Sequence, residues 1–320
     1  MPNTKIPQDM HDALTKFDAT AGGIVNTFLE KVESREPPEI IWHYTNDVGL
    51  RGILETGQLW RSDIFNLNDP SELSHGFSHA VKILNSRAKE GPPESQTFAK
   101  HFAAFHEEGI RMSAHFFVCS FSSDVDDLGQ WRAYADNGRG YALGFDAKVL
   151  EGAFTKENGV PIPNNLTFHV TYKDAVLADL HRQLIDGMFD LISLPRGKNL
   201  DSASVNAYMM ELSIYLSVHV LRAALFFKHE AYRNESEYRF LQIHRADFPP
   251  PEVKRRYRSY ELVKYREFDW KRLQAGTLKR IVVGPAADRT KATRFAADCL
   301  ATCNAGNVEV ACSEIPYRAL

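Results

Sequence analysis

The stretch "IIWHYTNDVGLRGILETGQLWRSDIFNLNDPSE", residues 40–72, contains the pattern that decides the fold. Its β-branched and aromatic start predicts a strand, and "DVGLRGILETG" predicts a short helix that Thr45 or Asn46 caps. "QLWRS" predicts a second short strand. Because neighbouring residues of a strand point to opposite faces, His43 and Thr45 share one face and Tyr44 lies on the other.

The rest of the chain alternates strands and helices without a regular order. Further strands are predicted for "HFFVCSFS", "GYALGFD", "LTFHVTY", "SEYRFLQI", "YELVKYREF", "LKRIVVG" and "NVEVACSEI". Apolar residues at helical spacing predict helices at 8–33, 72–88, 96–112 and 203–229. We therefore expect an α+β fold with a mixed or antiparallel central sheet and helical additions.

The domain organisation follows from the same pattern. Residues 1–36 are expected to form a helical N-terminal extension, separated by the proline-containing linker "SREPPEI". Residues 37–320 are expected to form a single α+β domain with a long helical insertion at about 200–230.

Composition limits the classes of function. The chain has 320 residues, 44% hydrophobic and 25% charged, as in ordinary globular proteins. A net charge of −3 provides no overall attraction for nucleic acid, so such a contact must come from a local patch. The four cysteines include no CxxC pair, which argues against a zinc site or a disulfide framework. The sequence shows neither an apolar run of the roughly 18 residues that span a membrane nor a signal peptide layout, so a cytoplasmic location is expected.

Two polar groups are candidates for a site. His43 and Thr45 can present a ring nitrogen and a hydroxyl to one ligand, or they can belong to a half-buried strand with a capping threonine. Glu235 and Glu237 stand two apart at the start of a predicted strand, so both should point to the same side. Arg239 continues that face as their partner; the alternative is a solvated stripe of charges.

Three further segments carry weaker signals. Ser120 and Ser122 share a strand face and can hold a sugar or an amide, or mark a strand that frays into a turn. Trp131 and Tyr134, beside a glycine-rich turn, can stack on a flat ring or fill the core. Asn68, in the turn "NLNDPSE", can stabilise the turn or face a ligand.

The segment "KRRYRSYELVKYREFDWKR", residues 254–272, is basic with interleaved aromatic residues. Such a pattern can contact phosphates. Because the segment also contains Glu261, Glu267 and Asp269, it is equally typical of a solvated strand face.

Taken in order, these blocks resemble an uncharacterised bacterial family, the domain-of-unknown-function family 2971. The resemblance covers about residues 40–316. It rests on His-Tyr-Thr, Asn-Asp-Pro-x-Glu, Cys-x-Phe-Ser with Trp-x-x-Tyr, Phe-x-Lys followed by Glu-x-Glu-Tyr-Arg, and a final apolar strand into Gly-Pro, at 43–45, 68–72, 119–134, 226–239 and 281–285. The family has no agreed function, so membership implies no activity.

A more distant resemblance does imply an activity. His43-x-Thr45, Ser120-x-Ser122 and Glu235-x-Glu237 are similar to the series of motifs in ADP-ribosyltransferases. That resemblance implies a split sheet, NAD as the substrate, and transfer of ADP-ribose to an unidentified acceptor, either protein or nucleic acid. Toxins and phage-defence effectors are the classes of protein it implies.

The resemblance also implies a role for each candidate residue. Glu237 would stabilise the oxocarbenium-like transition state, and Glu235 would orient or activate the acceptor. His43 would bond the adenosine-side ribose with support from Thr45. The remaining residues would bind NAD, with Tyr44 or Tyr134 stacked on nicotinamide and Arg61 or Arg239 on the pyrophosphate, beside Asn68, Ser120, Ser122 and Trp131.

Two alternatives stay open. One is a non-catalytic module that binds a nucleotide or a peptide and signals through its helical additions. The other is a nuclease-like hydrolase that holds a metal between Asp69, Glu72 and Glu237, although the sequence contains no compact set of carboxylates at ligand spacing.

Overall fold

The computed structural model describes residues 6–33, 36–67, 72–104, 114–245, 252–258, 260–273 and 276–318. The helices along them are α1 (Gln8–Glu33), α2 (Asp47–Thr56), α3 (Glu72–Lys89), α4 (Pro93–Ala104), α5 (Leu128–Tyr134), α6 (Ala147–Thr155), α7 (Asp174–Phe189), α8 (Ser202–Ala224) and α9 (Arg289–Thr302). The strands are β1 (Ile40–Thr45), β2 (Gln58–Asp63), β3 (Ala114–Ser122), β4 (Tyr141–Asp146), β5 (Lys156–Glu157), β6 (Val160–Pro161), β7 (Asn165–His169), β8 (Glu237–Arg245), β9 (Lys254–Arg258), β10 (Glu261–Asp269), β11 (Leu278–Val283) and β12 (Glu309–Cys312).

Two compact units divide the chain, and each is assembled from three segments. The helical unit comprises Met1–Ser34, Asp69–Ala114 and Thr171–Glu230. The sheet unit comprises Arg35–Asn68, His115–Val170 and Ala231–Leu320. The division into residues 1–36 and 37–320 stays a prediction.

The helical unit packs α1, α3, α4, α7 and α8 against one another. Apolar residues at helical spacing build its core, among them Leu14 of α1, Phe77 of α3 and Leu216 of α8, each fully buried. Among the described residues, no helix is both long enough and apolar enough to cross a bilayer.

The sheet unit contains a sheet in the order β12-β11-β4-β1-β3-β2-β10-β9, and β8 joins it by pairing with β3 and β7. Strand pairing is antiparallel for β1–β3, β1–β4, β2–β3, β2–β10, β4–β11, β7–β8 and β9–β10, whereas β11 and β12 run parallel. The prediction of an α+β fold with a mixed or antiparallel central sheet is confirmed, and the sheet is mixed and mostly antiparallel. A split sheet like that of ADP-ribosyltransferases stays a prediction.

Side-chain size determines what each face of β1 packs against. Trp42 pairs with Gly144, and a Cβ atom added there would lie 2.7 Å from the Trp42 ring, so only glycine leaves room for the indole. Tyr44 similarly pairs with Ala142. On the other face His43 pairs with Leu143, which belongs to the larger apolar core. The predicted alternation along β1 is therefore confirmed.

The helix after β1 begins and ends as its sequence predicts. Asn46 is the capping residue, because its Oδ1 accepts a 2.8 Å hydrogen bond from the Gly49 amide. Gly57 ends the helix at a φ of 68°, in the left-handed region that favours glycine.

Candidate functional site

The site is built where β3 changes partners. Ser122 of β3 pairs with Trp42 of β1, and Val118 pairs with Ser62 of β2. Between these two positions, the Ser120 carbonyl oxygen lies 3.4 Å from Nδ1 of His43. Because a carbonyl can only accept, Nδ1 carries the proton in this contact and Nε2 is left as an acceptor.

The electrostatic surroundings keep His43 neutral. Burial, opposed by the contact with Ser120 and assisted by the positive charge of Arg256, lowers the pKa of His43 below its ordinary value of 6.5. A neutral imidazole with an unprotonated Nε2 is suited to accept a hydrogen bond from a ligand hydroxyl.

Glu237 lies beside this position at the first residue of β8. Its Oε1 accepts hydrogen bonds from Ser120 Oγ at 2.6 Å and from Arg239 Nε at 2.9 Å, and its Oε2 accepts from Arg239 Nη2 at 3.0 Å. Glu237 is 3% exposed and Arg239 is fully buried, whereas Ser120 is exposed. The Ser120 hydroxyl is thus the exposed end of a buried, charge-assisted pair.

Glu235 has a different environment from Glu237. It ends the 3-10 turn Glu230–Glu235, and its Oε1 accepts a 2.7 Å hydrogen bond from the Tyr134 hydroxyl. Ser236 stands between the two glutamates at a φ of 44°, so β8 starts only at Glu237. The expectation that both glutamates share one face of a strand was wrong, because the left-handed residue redirects the backbone between them.

The turn that holds Glu235 is fastened to the end of β3. Ser122 Oγ donates to the Glu235 carbonyl at 2.9 Å, and the Ser123 amide donates to the Ser236 carbonyl at 2.9 Å. Ser236 Oγ donates to Asp124 Oδ2 at 2.5 Å. Asp124 was not singled out from the sequence; the polar run "SSD" after a buried strand is the signal that could have identified it.

Tyr44 and Trp131 belong to a small apolar core. Their rings meet edge to face with centroids 4.9 Å apart, and the two side chains are 7% and 0% exposed. The Tyr44 hydroxyl donates to the Asp124 carbonyl, and Trp131 Nε1 donates to Asp126 Oδ1. The structure gives these two rings a packing role, since their faces are covered by protein.

Arg61 is placed deep in the sheet unit. It is 6% exposed, and it donates to Gln242 Oε1 at 2.9 Å and to the Glu267 carbonyl at 2.6 Å. Burial, and then the charge of Arg266, lowers the pKa of Arg61 to about 10. The side chain is therefore buried in the sheet rather than directed with His43 at a ligand.

The two remaining candidates from the sequence are Thr45 and Asn68. Thr45 Oγ1 would lie 1.9 Å from a Cβ atom added to Gly49, so its hydroxyl lies against the start of α2. Asn68 lies outside the described residues, as does Asp69 of the metal-site alternative. Among the residues that the structure describes, no group of three or more His, Cys, Asp or Glu side chains could hold a metal ion.

The structure therefore brings together His43, Ser120, Glu237 and Arg239. Ser122 and Tyr134 are hydrogen-bonded to Glu235 on the adjoining turn. No significant match was found among curated proteins or among solved structures. Residues 130–240 match a family model described as "Protein of unknown function (DUF2971)". This segment contains Tyr134, both glutamates and Arg239, so the match confirms the resemblance to domain-of-unknown-function family 2971.

Proposed function

We propose that this protein binds NAD where β1, β3 and β8 meet, and cleaves its nicotinamide–ribose bond to transfer ADP-ribose to an acceptor. The observation that carries the proposal is the hydrogen bond from Ser120 to Glu237, which joins a carboxylate to the residue whose carbonyl contacts His43. A carboxylate held in a fixed orientation can stabilise the positive charge that develops on the ribose.

The chemistry assigns a role to each glutamate. The C1′–N bond breaks, and neutral nicotinamide leaves with the bonding electron pair. The ribose is left with positive charge, which the negative charge of Glu237 stabilises. An acceptor oxygen or nitrogen then bonds to C1′, and its proton passes to Glu235. Arg239 fixes the orientation of Glu237, since it donates to both carboxylate oxygens.

The exposure of each side chain decides which part of NAD it can bind. His43 Nε2 accepts a hydrogen bond from a ribose hydroxyl, and the half-buried Tyr134 ring stacks on nicotinamide. Arg61 and Arg239 are too buried to receive the pyrophosphate. Arg256 is the better partner, because it is half-buried and its charge already acts on His43. A cytoplasmic location, where NAD is available, belongs to the same proposal.

The test is release of nicotinamide from NAD by the purified protein, alone and with a cell lysate that supplies acceptors. We expect the wild-type protein to release nicotinamide and to transfer label from labelled NAD to protein or nucleic acid. A thermal melt with and without NAD reports binding separately. An absence of both nicotinamide release and an NAD-dependent shift in melting temperature would overturn the proposal.

The burial of the Glu237–Arg239 pair favours one alternative. Two oppositely charged side chains with 3% and 0% exposure are also what a structural ion pair looks like. In that case the site is a non-catalytic module that binds a nucleotide. An NAD-dependent rise in melting temperature without nicotinamide release, in the presence of lysate, would support the binding module over the enzyme.

A further inference from the structure

Like charges stand opposite one another on one face of the sheet formed by β2, β10 and β9. The register places three cross-strand pairs at alternate positions of β10, namely Arg61 with Arg266, Arg255 with Lys264, and Tyr257 with Leu262. Residues two apart on a strand share a face, so all three pairs lie on one side. We call this set the cationic face. Directly opposed like charges destabilise a sheet, which raises the question of what compensates them.

The other face of the same hairpin carries two ion pairs on either side of Arg256, whose guanidinium lies over the Trp60 ring. Lys254 Nζ lies 2.6 Å from Glu267 Oε2, and Arg258 Nη2 lies 3.2 Å from Glu261 Oε2. On the cationic face, by contrast, none of the four cations has a carboxylate oxygen of a described residue within 4.0 Å. Two of the three cations of β9 on the other face are therefore paired with a glutamate, whereas none on the cationic face is paired with a carboxylate of a described residue.

The inner pair is held by neutral acceptors only. Arg61 and Arg266 both donate to Gln242 Oε1, and Arg266 also donates to His244 Nε2 at 2.9 Å. The Nε atoms of both arginines are buried without a hydrogen-bond partner among the described residues. Burial lowers the pKa of each guanidinium, and at Arg266 the negative charge of Glu252 opposes that shift. Neither guanidinium at the base of the face forms an ion pair with a carboxylate of a described residue.

The outer end of the face presents an aromatic ring to solvent. Tyr257 is 90% exposed and its partner Leu262 is 54% exposed, while Arg255 between them and the inner pair is also exposed. An exposed ring next to cations is the combination used by proteins that bind single-stranded nucleic acid, in which cations follow the phosphates and aromatic rings stack on bases.

We propose that the cationic face binds single-stranded nucleic acid, with Arg255, Lys264 and Arg266 on successive phosphates and Tyr257 stacked on a base. A duplex offers no free base face to Tyr257, whereas a single strand offers a phosphate and an unstacked base at every nucleotide, so a single strand uses the surface best. With a net charge of −3 over the whole protein, binding must come from this local patch. The inference is independent of the proposed NAD chemistry.

The first test compares two variants with the same change of charge. Binding of fluorescently labelled oligothymidylate of about 20 nucleotides, long enough for one site, is measured by anisotropy at several salt concentrations. The double variant Arg255→Gln/Lys264→Gln should bind at least about tenfold more weakly, with a salt slope lower by about 1.4 for two lost phosphate contacts. The matched control Lys254→Gln/Arg258→Gln alters the other face of the hairpin and should stay within about twofold of wild type, since a change of net charge alone is screened by salt.

The second test separates stacking from charge. Tyr257→Phe keeps a ring and should retain wild-type affinity, whereas Tyr257→Ser should bind about tenfold more weakly, the loss expected for one stacked base. The proposal would be overturned by no binding of the single strand by wild type at low salt, by equal weakening in both double variants, or by equal affinity for inorganic polyphosphate of the same charge. A tighter complex with the duplex of that length would also overturn it.

Discussion

Ser120 Oγ and Glu237 Oε1 are joined by a 2.6 Å hydrogen bond between residues that are 117 positions apart in the chain. This bond connects the exposed Ser120 side chain of β3 with the buried ion pair at the start of β8. A ligand that meets the Ser120 hydroxyl is therefore one hydrogen bond away from a carboxylate whose charge Arg239 keeps in place. The first prediction tests whether the Glu237 carboxylate is needed for catalysis, for the stability of the fold, or for both.

Replacement of Glu237 by Gln should abolish nicotinamide release, because a charge-stabilising group in a preorganised site contributes about 3 kcal/mol or more to the barrier. It should also lower the free energy of unfolding by about 3–5 kcal/mol, because Arg239 is left as an unpaired buried charge. Urea unfolding and an NAD turnover assay measure the two effects separately.

The double variant Glu237→Gln/Arg239→Gln provides the control. Removal of both charges should restore much of the stability, since a neutral pair has no uncompensated charge, but turnover should stay absent. Recovered turnover in the double variant would show that Glu237 has only a structural role.

Glu235→Gln is expected to separate the two half-reactions. If Glu235 takes the proton of the acceptor, this variant should transfer less ADP-ribose while hydrolysis of NAD to nicotinamide continues. Tyr134→Phe, which removes the 2.7 Å hydrogen bond to Glu235, should show the same pattern in weaker form. Chromatography of the products measures both rates, and an equal loss of both would place Glu235 in bond cleavage or in the fold.

Truncation of His43 distinguishes a binding residue from a core residue. Loss of one hydrogen bond to ribose should weaken NAD binding about tenfold, with a small change in the melting temperature of the ligand-free protein. Thermal melts with and without NAD give both values. A fall of several kcal/mol in the stability of His43→Ala without ligand would instead indicate that its contact with the Phe121 ring, at 5.8 Å between centroids, is its main role.

The helical unit should lose stability in acid through His181. This side chain is fully buried with its Nδ1 3.4 Å from that of His79, and burial lowers its pKa to about 3. Protonation of His181 is therefore unfavourable in the folded state. Its contribution to the free energy of unfolding is fully present above pH 6.5 and is lost as the pH falls toward about 3. The decrease should approach about 1.4 kcal/mol per pH unit below the pKa of the unfolded state.

The matching experiment uses a side chain that cannot titrate. Between pH 6.5 and about 4, His181→Leu should lose less unfolding free energy than the wild-type protein, as urea unfolding at each pH will measure. His101→Gln, at an exposed position of α4, should lose unfolding free energy in acid as the wild-type protein does. An equally steep loss of unfolding free energy in His181→Leu and in the wild-type protein would contradict the role given to His181.

Local features of the fold were predictable, because neighbouring residues determine them. The alternation along β1, the Asn46 cap and the αL residue Gly57 each depend on residues within one turn or one strand. The approach of His43, Ser120 and Glu237 was also expected, although only the order of motifs suggested it.

The misplaced residues depend on contacts between distant segments. Ser236 adopts a positive φ although serine has no preference for it, and bonds to Ser123 and Asp124 hold it there. Arg61 finds its acceptor on Gln242, 181 residues away. The residues next to Ser236 and Arg61 in the sequence give no information about these distant partners. The backbone conformation of Ser236 and the direction of the Arg61 side chain could therefore not be predicted.

The distribution of the helical unit over three segments has a consequence for synthesis on the ribosome. Helix α1 is completed against α8, where Asp18 meets His219 across 201 residues of chain. At about 5–20 residues per second, α1 waits on the order of 10–40 s for that partner. During this time its apolar stripe, which includes Met10, Leu14 and Val25, is without its final packing surface. We therefore expect the nascent chain to be most prone to aggregation until translation has passed α8.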